Sequence, residues 1–239
     1  MTRRRWIADE VVGDRAALIG AHADHLVKVL RARVGQEFDI TTANAVRRGR
    51  ISSVRNERVE FDLAEEVPAT PMVEITLVLA IFKFDRMEWA IEKCTELGVA
   101  RIVPVIARRT DSHLAIASAK RVERWRRLAR QASEQSRRTA PPEIALPAKL
   151  AAIVEMPFPL RIVLSESETQ ALLRDVVQGD PTDGRLTLAI GPEGGWAEDE
   201  VHSFHQAGWI SASLGNTILR AETAAIASLA VVASLLNAP

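Results

Sequence analysis

The stretch from Leu186 to Trp196 constrains the fold more than any other part of the chain, because an apolar run there breaks into a glycine-rich turn. The run 186–190 is typical of a strand that is covered on both faces in a parallel sheet. Gly-Pro-Glu-Gly-Gly follows at 191–195, and a helical pattern that Gly208 closes begins after it. The stretch therefore predicts a strand, a loop and a helix.

This loop lies at the carboxyl end of a buried strand, which is where open α/β sheets bind small ligands. Its three glycines allow backbone amides to approach a ligand that a Cβ would keep away. A phosphate loop would need a Lys and a Ser or Thr after its glycines, and Glu193 would repel phosphate. We expect a small ligand other than phosphate, although a sharp turn without a ligand fits this stretch equally well.

The composition is that of a globular protein with one or two domains, since 47% of the 239 residues are hydrophobic. Lys plus Arg and Asp plus Glu both total 31, so net charge does not indicate a partner. Cys94 is the single cysteine, which excludes an intramolecular disulfide and a multi-cysteine metal site and predicts a reducing compartment, the cytoplasm. We expect no signal peptide and no membrane span, because the start is charged and Glu222 interrupts the most apolar segment.

Two domains are predicted, with a boundary in the Pro-rich segment 65–71. Residues 1–70 contain short strand patterns at 6–8, 38–40, 50–54 and 59–63 and one helical pattern at 22–30, which indicates a small β-barrel-like module with a basic rim. Residues 71–239 alternate strand and helix patterns, which predicts an α/β domain with a mostly parallel sheet and helices on both faces. Asp85 and Glu88 resemble a capping box at the start of the first helix of this domain.

A second feature is the basic segment 120–138, which is predicted to be a helix and contains eight basic residues and two acidic ones. Its apolar residues, among them Val122, Trp125 and Ala129, share one helical face, so the arginines are expected on the solvent face. Most of these cations lack i,i+4 partners, which favours a polyanion site over an ordinary solvated helix.

Three loops follow apolar strands, at 164–166, 191–195 and 214–220, and would share one sheet edge if the strands are parallel. The motif at 191–195, with Leu214-Gly215 and Ile218-Leu219-Arg220-Ala221-Glu222-Thr223-Ala224, resembles the 16S rRNA uracil-N3 methyltransferases of the SPOUT class. Residues 25–31, 92–99, Arg109, 134–136, Arg138 and Pro142 extend the resemblance over nearly the whole chain. The chain departs from the family pattern at Phe84, where a glycine is usual, and at Thr217, where a basic residue is frequent.

The resemblance implies an α/β fold with a SPOUT-type parallel sheet and a C-terminal trefoil knot, preceded by a PUA-like RNA-binding β-barrel. It also implies a homodimer that binds S-adenosyl-L-methionine in the knot loops and methylates N3 of a uridine in 16S rRNA of the 30S subunit. The expected cofactor-binding residues all lie in the three loops and just after them: Leu164, Ser165, Glu166, Ile190, Gly191, Pro192, Glu193, Gly194, Gly195, Leu214, Gly215, Ile218, Leu219, Arg220 and Thr223. The expected RNA-binding residues are basic and spread over both domains: Lys28, Arg31, Arg109, Arg124, Arg127, Arg130 and Arg138.

The chemistry of the target suggests catalytic residues. Uracil N3 carries a proton and is a poor nucleophile until that proton leaves, so an arginine beside the developing negative charge would assist. Arg220 is the first candidate and Arg138 the second, and Glu222 or Glu193 would orient the arginine or accept the proton. A structural Arg-Glu pair that only fixes the loop is the alternative.

Other functions remain open at this point. Ribose 2′-O methylation would use the same pocket, and a non-catalytic RNA-binding protein would explain the basic helix but not a three-loop pocket. The pairs His22/His25 and His202/His205 have a spacing that allows metal ligation, but neither has a companion cysteine or suitably spaced carboxylates, so no metal is expected.

Overall fold

The computed structural model describes residues 5–42, 45–55, 57–67, 73–136, 138, 140–157, 160–179 and 185–236. Two compact units divide the chain: residues 1–70 with 136–139, and residues 71–135 with 140–239. The sequence did not indicate that 136–139 group with the first unit. Part of the expected boundary, 68–71, lies outside the described residues, and 65–66 still belong to a strand rather than to a linker.

The first unit is a six-stranded sheet with one short helix. Its elements are β1 (Arg5–Ile7), β2 (Glu10–Val12), β3 (Arg15–Ile19), α1 (Ala21–Asp24), a π-helical turn (His25–Val29), β4 (Glu37–Thr41), β5 (Val46–Arg55) and β6 (Arg58–Glu66). The sequence predicted strands near β1, β4, β5 and β6 but not β2 and β3. Arg-Ala-Ala-Leu-Ile in β3 has little β-propensity, and its pairing with β6 decides its conformation.

The strand order of this sheet is β1-β4-β5-β6-β3-β2. Only Ala8 and Asp9 separate β1 from β2, although these strands pair with opposite sides of the sheet. The Ala8 amide donates to the Thr41 carbonyl after β1, and the Asp9 amide donates to the Ala17 carbonyl in β3. One short segment therefore joins both edges, and the sheet has to curl around its core, which includes Leu18 and Phe61.

The second unit alternates strands and helices. Its elements are β7 (Glu74–Ala80), α2 (Phe84–Glu96), β8 (Arg101–Ile106), α3 (Ser112–Ser136), β9 (Glu143–Ile144), β10 (Ala148–Lys149), α4 (Leu150–Val154), β11 (Leu160–Leu164), α5 (Leu173–Gly179), β12 (Arg185–Ile190), α6 (Glu198–Gln206), β13 (Ile210–Ala212) and α7 (Ala221–Leu236). The sheet has the order β10-β8-β7-β12-β11-β13, β9 also pairs with β8, and every one of these pairings is parallel. The prediction of a parallel α/β sheet is confirmed.

Both faces of this sheet are buried, as successive residues of β7 show. Leu77 and Leu79 belong to a core with residues of α2, α3, α5 and α7, whereas Val78 and Ala80 belong to a core that includes Phe204 of α6. Side chains alternate between the faces of a strand, so a strand that is covered on both faces is apolar throughout. This burial explains the apolar runs of the sequence.

Two predictions about helix starts were wrong. The capping box at Asp85 and Glu88 does not form, because α2 already begins at Phe84, and its N-cap residue Lys83 makes no capping hydrogen bond with its side chain. Helix α3 begins at Ser112, eight residues before the basic segment. Among the described residues, no helix has both the length and the apolar character needed to cross a bilayer.

Candidate active site

Three loops enclose a cavity of about 620 Å³ at the carboxyl edge of the parallel sheet. The strands before them, β11, β12 and β13, are neighbours, with β11 in the middle. The lining comes from residues 164–169, 190–196 and 212–219, with Arg109, Glu198, Val201, Ala221 and Ala224 around them. The structure brings together the three loops that the sequence predicted to share one ligand.

Most of the expected cofactor-binding residues line this cavity. Arg220 and Thr223 do not: Arg220 is exposed beside the lining residues Leu219 and Ala221, and Thr223 lines a separate depression between α2 and α7. The cavity is lined by these residues of the expected set: Leu164, Ser165, Glu166, Ile190, Gly191, Pro192, Glu193, Gly194, Gly195, Leu214, Gly215, Ile218 and Leu219.

The glycine loop 191–195 is a tight turn in which the Gly195 amide donates to the Pro192 carbonyl at 2.8 Å. Gly195 has a φ of +69°, a conformation that side chains rarely adopt. A Cβ on Gly191 would lie 3.3 Å from Trp196, which also lines the cavity. The turn therefore requires glycine at 195 for conformation and favours it at 191 for space.

A buried carboxylate fixes this turn to the loop after β8. The Glu200 side chain accepts hydrogen bonds from the Ala197 amide at 2.9 Å and from the Arg108 amide at 2.8 Å. Arg109 follows, and its Nη1 donates to the Gly194 carbonyl. Arg109, an expected RNA-binding residue, thus lies in the cavity lining. Sequence reasoning missed the role of Glu200, although a glutamate three residues after the N-cap residue, here Ala197, is a known capping signal.

A second missed residue is Arg86, in the first turn of α2. Its Nη1 lies 2.7 Å from Glu193 Oε1, and its Nε lies 3.8 Å from Glu222 Oε1. Glu222 is buried, and its Oε2 has no hydrogen-bond partner among the described residues. Neither carboxylate pairs with Arg220, so the arginine that joins these two carboxylates is Arg86.

The cavity lining is rich in negative charge. It carries four carboxylates, those of Glu166, Glu168, Glu193 and Glu198, and its described residues include a single cation, Arg109. The pKa of Glu168 is lowered, chiefly because the Ala171 and Gln170 amides donate to its carboxylate, so this residue stays ionised. Such a lining suits a ligand that carries positive charge.

The remaining catalytic candidate, Arg138, belongs to the first unit. Burial lowers the pKa of its guanidinium from the usual value. It does not line the cavity, and its catalytic and RNA-binding roles stay predictions. Among the described residues, no group of three or more His, Cys, Asp or Glu side chains is arranged to hold a metal ion.

Some arginines of α3 have partners other than the i,i+4 partners that the sequence lacks. Arg124 makes two hydrogen bonds to Glu88, at 2.6 and 2.8 Å, and Arg126 bonds to Glu123 and to the Ile144 carbonyl. Arg127 and Arg130 are exposed and form no ion pair with a described residue. The cations available to a polyanion on this helix are thus fewer than the sequence suggested.

The unusual Phe84 fills the space between α2 and α3. Its ring centroid lies 6.0 Å from that of Trp125, and the Arg121 guanidinium carbon lies 4.8 Å above the Phe84 ring. Phe84 thus has a packing role at this departure from the family pattern.

Two of the expected RNA-binding residues lie in the first unit. Lys28 pairs with Asp24 at 2.6 Å, and Arg31 is exposed with a φ of +53°.

Comparison with known proteins places these features in a family. Residues 68–233 match the family model of the RNA methyltransferase domain. The ribosomal RNA small subunit methyltransferase E of Rickettsia conorii is 31% identical to this chain, over 90% of the chain and 88% of the relative. The protein of the same name from Synechocystis sp. is 29% identical, over 96% of the chain and 76% of the relative.

A solved structure extends the similarity to the whole fold. It is the crystal structure of a ribosomal RNA small subunit methyltransferase E from Neisseria gonorrhoeae bound to S-adenosyl methionine. This structure is 28% identical, covers 98% of both chains and has a TM-score of 0.72. This chain therefore belongs to the RNA methyltransferase family that includes the ribosomal RNA small subunit methyltransferases E.

Proposed function

We propose that this protein methylates N3 of a uridine in the 16S rRNA of the small ribosomal subunit, with S-adenosyl-L-methionine as methyl donor. The observation that carries the proposal is the cavity that the three loops form at one edge of the sheet. The relatives named as small subunit ribosomal RNA methyltransferases, and the neighbour bound to S-adenosyl methionine, support the same assignment.

The residues of the cavity fit this cofactor. Leu164, Ile190 and Leu214 offer apolar walls for an adenine ring, and the loop 191–195 offers backbone groups for its polar edge. The carboxylates of the lining tolerate the positive sulfonium. When bound, S-adenosylmethionine supplies a methyl group that its sulfonium already activates. The protein then mainly has to align the accepting base.

The two catalytic candidates at the start of α7 have different environments. Arg220 is exposed, lies next to the cavity-lining Leu219 and Ala221, and forms no ion pair with a described residue. Its guanidinium is thus available to stabilise the negative charge that develops when uracil N3 loses its proton. Glu222 is buried outside the cavity lining, and its Oε2 has no hydrogen-bond partner among the described residues, whereas Glu193 belongs to the lining; these two carboxylates are the candidate acceptors for that proton.

The finer architecture follows from the same proposal: a trefoil knot formed by the late loops, a PUA-like barrel in the first unit, and a homodimer in the cytoplasm. A mainly apolar depression of about 420 Å³ between α2 and α7 supports dimerisation, since Trp89, Leu97, Ile226 and Ala227 line it together with Lys93, Glu96 and Thr223. Trp89 leaves 48% of its surface exposed there, which is unusual for so large an apolar side chain.

The test is mass spectrometry of nucleosides from 30S particles that were incubated with the protein and labelled cofactor. We expect label on N3-methyluridine, and Arg220→Ala should reduce this product far more than cofactor affinity. Label on a 2′-O-methyl nucleoside would replace the proposed target with the ribose. If cofactor binds but no nucleoside is labelled, the RNA assignment is wrong.

A further inference from the structure

Two side chains of opposite charge lie close to Gly195. Arg109 Nη1 and the carboxyl group of Glu166 each lie 3.9 Å from the position that a Cβ on Gly195 would occupy. No ion pair joins Arg109 to Glu166, and the Glu166 carboxylate makes no hydrogen bond with a described residue. Arg109 and Glu166 are thus neighbouring charges of opposite sign in the cavity lining that do not pair with each other.

The other carboxylates of the lining already have electrostatic partners. Glu193 pairs with Arg86, and Glu168 accepts backbone hydrogen bonds from Gln170 and Ala171. Glu198 lies in the first turn of α6, where the helix dipole stabilises negative charge. Glu166 is therefore the lining carboxylate with capacity left for an external cation.

Arg109 is held in place, but its hydrogen-bond donors are not all used. One of its nitrogens donates to the Gly194 carbonyl, and the Glu200 carboxylate fixes the preceding backbone amide. A guanidinium has five N–H donors, so most of them remain available to a ligand. Because four carboxylates share the lining with Arg109, an anionic group of a bound molecule would be repelled elsewhere and attracted here.

We infer that Arg109 and Glu166 clamp the amino-acid end of S-adenosylmethionine, with the α-carboxylate at Arg109 and the α-ammonium at Glu166. The inference rests on the proposed function, because it assigns two residues of the same site to one part of the cofactor. It gives Arg109 a cofactor-binding role in place of the RNA-binding role expected from the sequence. It also agrees with the glycine at 195, where a Cβ would lie 3.9 Å from each of the two charged groups.

The experiment measures binding by calorimetry with three ligands: S-adenosylmethionine, its decarboxylated form, and 5′-methylthioadenosine, which lacks the amino-acid end. Arg109→Gln should weaken S-adenosylmethionine about tenfold more than it weakens the other two ligands, because only S-adenosylmethionine has the carboxylate for a charge-assisted contact, while any effect through the Gly194 carbonyl is common to all three. Glu166→Gln should weaken S-adenosylmethionine and the decarboxylated form, which both keep the ammonium, but not 5′-methylthioadenosine. Arg108→Gln is the matched control, because its exposed side chain pairs with Asp199 outside the lining, and all three affinities should stay unchanged.

The outcomes separate the clamp from the proposed function. If Arg109→Gln and Glu166→Gln weaken all three ligands by the same factor, or none of them, the clamp is wrong while the cofactor assignment stands. If the parent protein binds none of the three ligands, the proposed cofactor and the clamp are both overturned.

Discussion

Cys94 is a side chain whose chemistry is set by burial alone. It is fully buried in α2, and desolvation raises the pKa of its thiol to about 12. In an unfolded chain the same thiol has a pKa of about 8.5, so a reactive thiolate forms readily only after unfolding. Since this is the single cysteine, labelling with a thiol reagent at pH 8 should proceed at the rate of opening and rise with denaturant in parallel with unfolding. Rapid labelling of the native protein would contradict the burial.

Arg31 has a left-handed backbone conformation, which is unfavourable for a residue with a side chain. Its φ of +53° costs a non-glycine residue about 1 kcal/mol, and Glu57 has the same strain, with a φ of +54°. Arg31→Gly should therefore raise the free energy of unfolding by several tenths of a kcal/mol to about 1 kcal/mol. The expected RNA-binding role of Arg31 predicts that this variant loses RNA affinity, whereas Glu57→Gly should gain stability and keep it. Denaturant titration measures the stability and a binding assay measures the RNA affinity. Equal RNA affinity in both variants would show that Arg31 does not bind RNA.

At the scale of residues, the sequence predicted what local patterns encode. The turn at 191–195 was predictable because its glycines and its flanking strand are contiguous. The roles of Arg86 and Glu200 were not, because Arg86 lies 107 residues from Glu193 and Glu200 lies 92 residues from Arg108. Such pairings depend on which strands are neighbours, and periodicity does not carry that information.

Arg86 joins three elements, since α2, the glycine loop and the start of α7 meet at its guanidinium. Arg86→Met should lower the free energy of unfolding by about 1–3 kcal/mol, because it leaves the buried Glu222 carboxylate without its cation. Adding Glu222→Gln should recover part of this loss, since the buried charge is then removed as well. Urea titration gives these values, and a double variant less stable than Arg86→Met would refute the charge explanation.

The control for this experiment is another Arg-Glu pair of the same unit. Arg101 lies 3.3 Å from Glu143, whose side chain is 63% exposed, so water screens this pair. Arg101→Met should cost clearly less than Arg86→Met. A similar loss in both variants would mean that packing of the arginine stem, rather than the buried carboxylate, sets the stability.

The arginines of α3 differ in their availability to RNA. Changing Arg127 and Arg130 together to Ala should weaken RNA binding and lower the slope of log affinity against log salt concentration by about 1–2, because each free cation displaces counterions from phosphate. Arg126→Ala is the comparison, since Arg126 is already bound to Glu123 and the Ile144 carbonyl and should change the slope less. An unchanged slope in the double variant would show that these arginines of α3 are solvated and do not bind RNA.

At the scale of elements, regular sequence patterns predicted whether a segment is a helix or a strand better than they predicted where it begins and ends. The amphipathic face around Trp125 identified α3, but the start of the helix at Ser112 was missed because 112–119 carry no charge pattern of their own. Strand β3 was missed because alanine favours helix. Its three consecutive core residues, Ala16 to Leu18, become buried only when β3 pairs with β6.

The proposed dimer is a prediction about the whole molecule. Trp89→Asp places a charge in the apolar depression between α2 and α7, and a charge that cannot be hydrated opposes association. Light scattering should then show a monomer where the parent protein is a dimer. Ile116→Asp is the control, because Ile116 is 80% exposed on α3 outside the depression and its change should keep the dimer. A parent monomer, or a dimeric Trp89→Asp protein, would contradict the proposed interface.

The position of β12 in the middle of the parallel sheet has a consequence for synthesis. β12 lies between β7 and β11 and pairs along its length with both, yet it is translated after both of them. Until residues 185–190 leave the ribosome, β7 and β11 each present an edge with unpaired amides and carbonyls, of the kind that promotes wrong pairing and aggregation. Nascent chains that stall before Arg185 should therefore be the ones that chaperones and proteases remove.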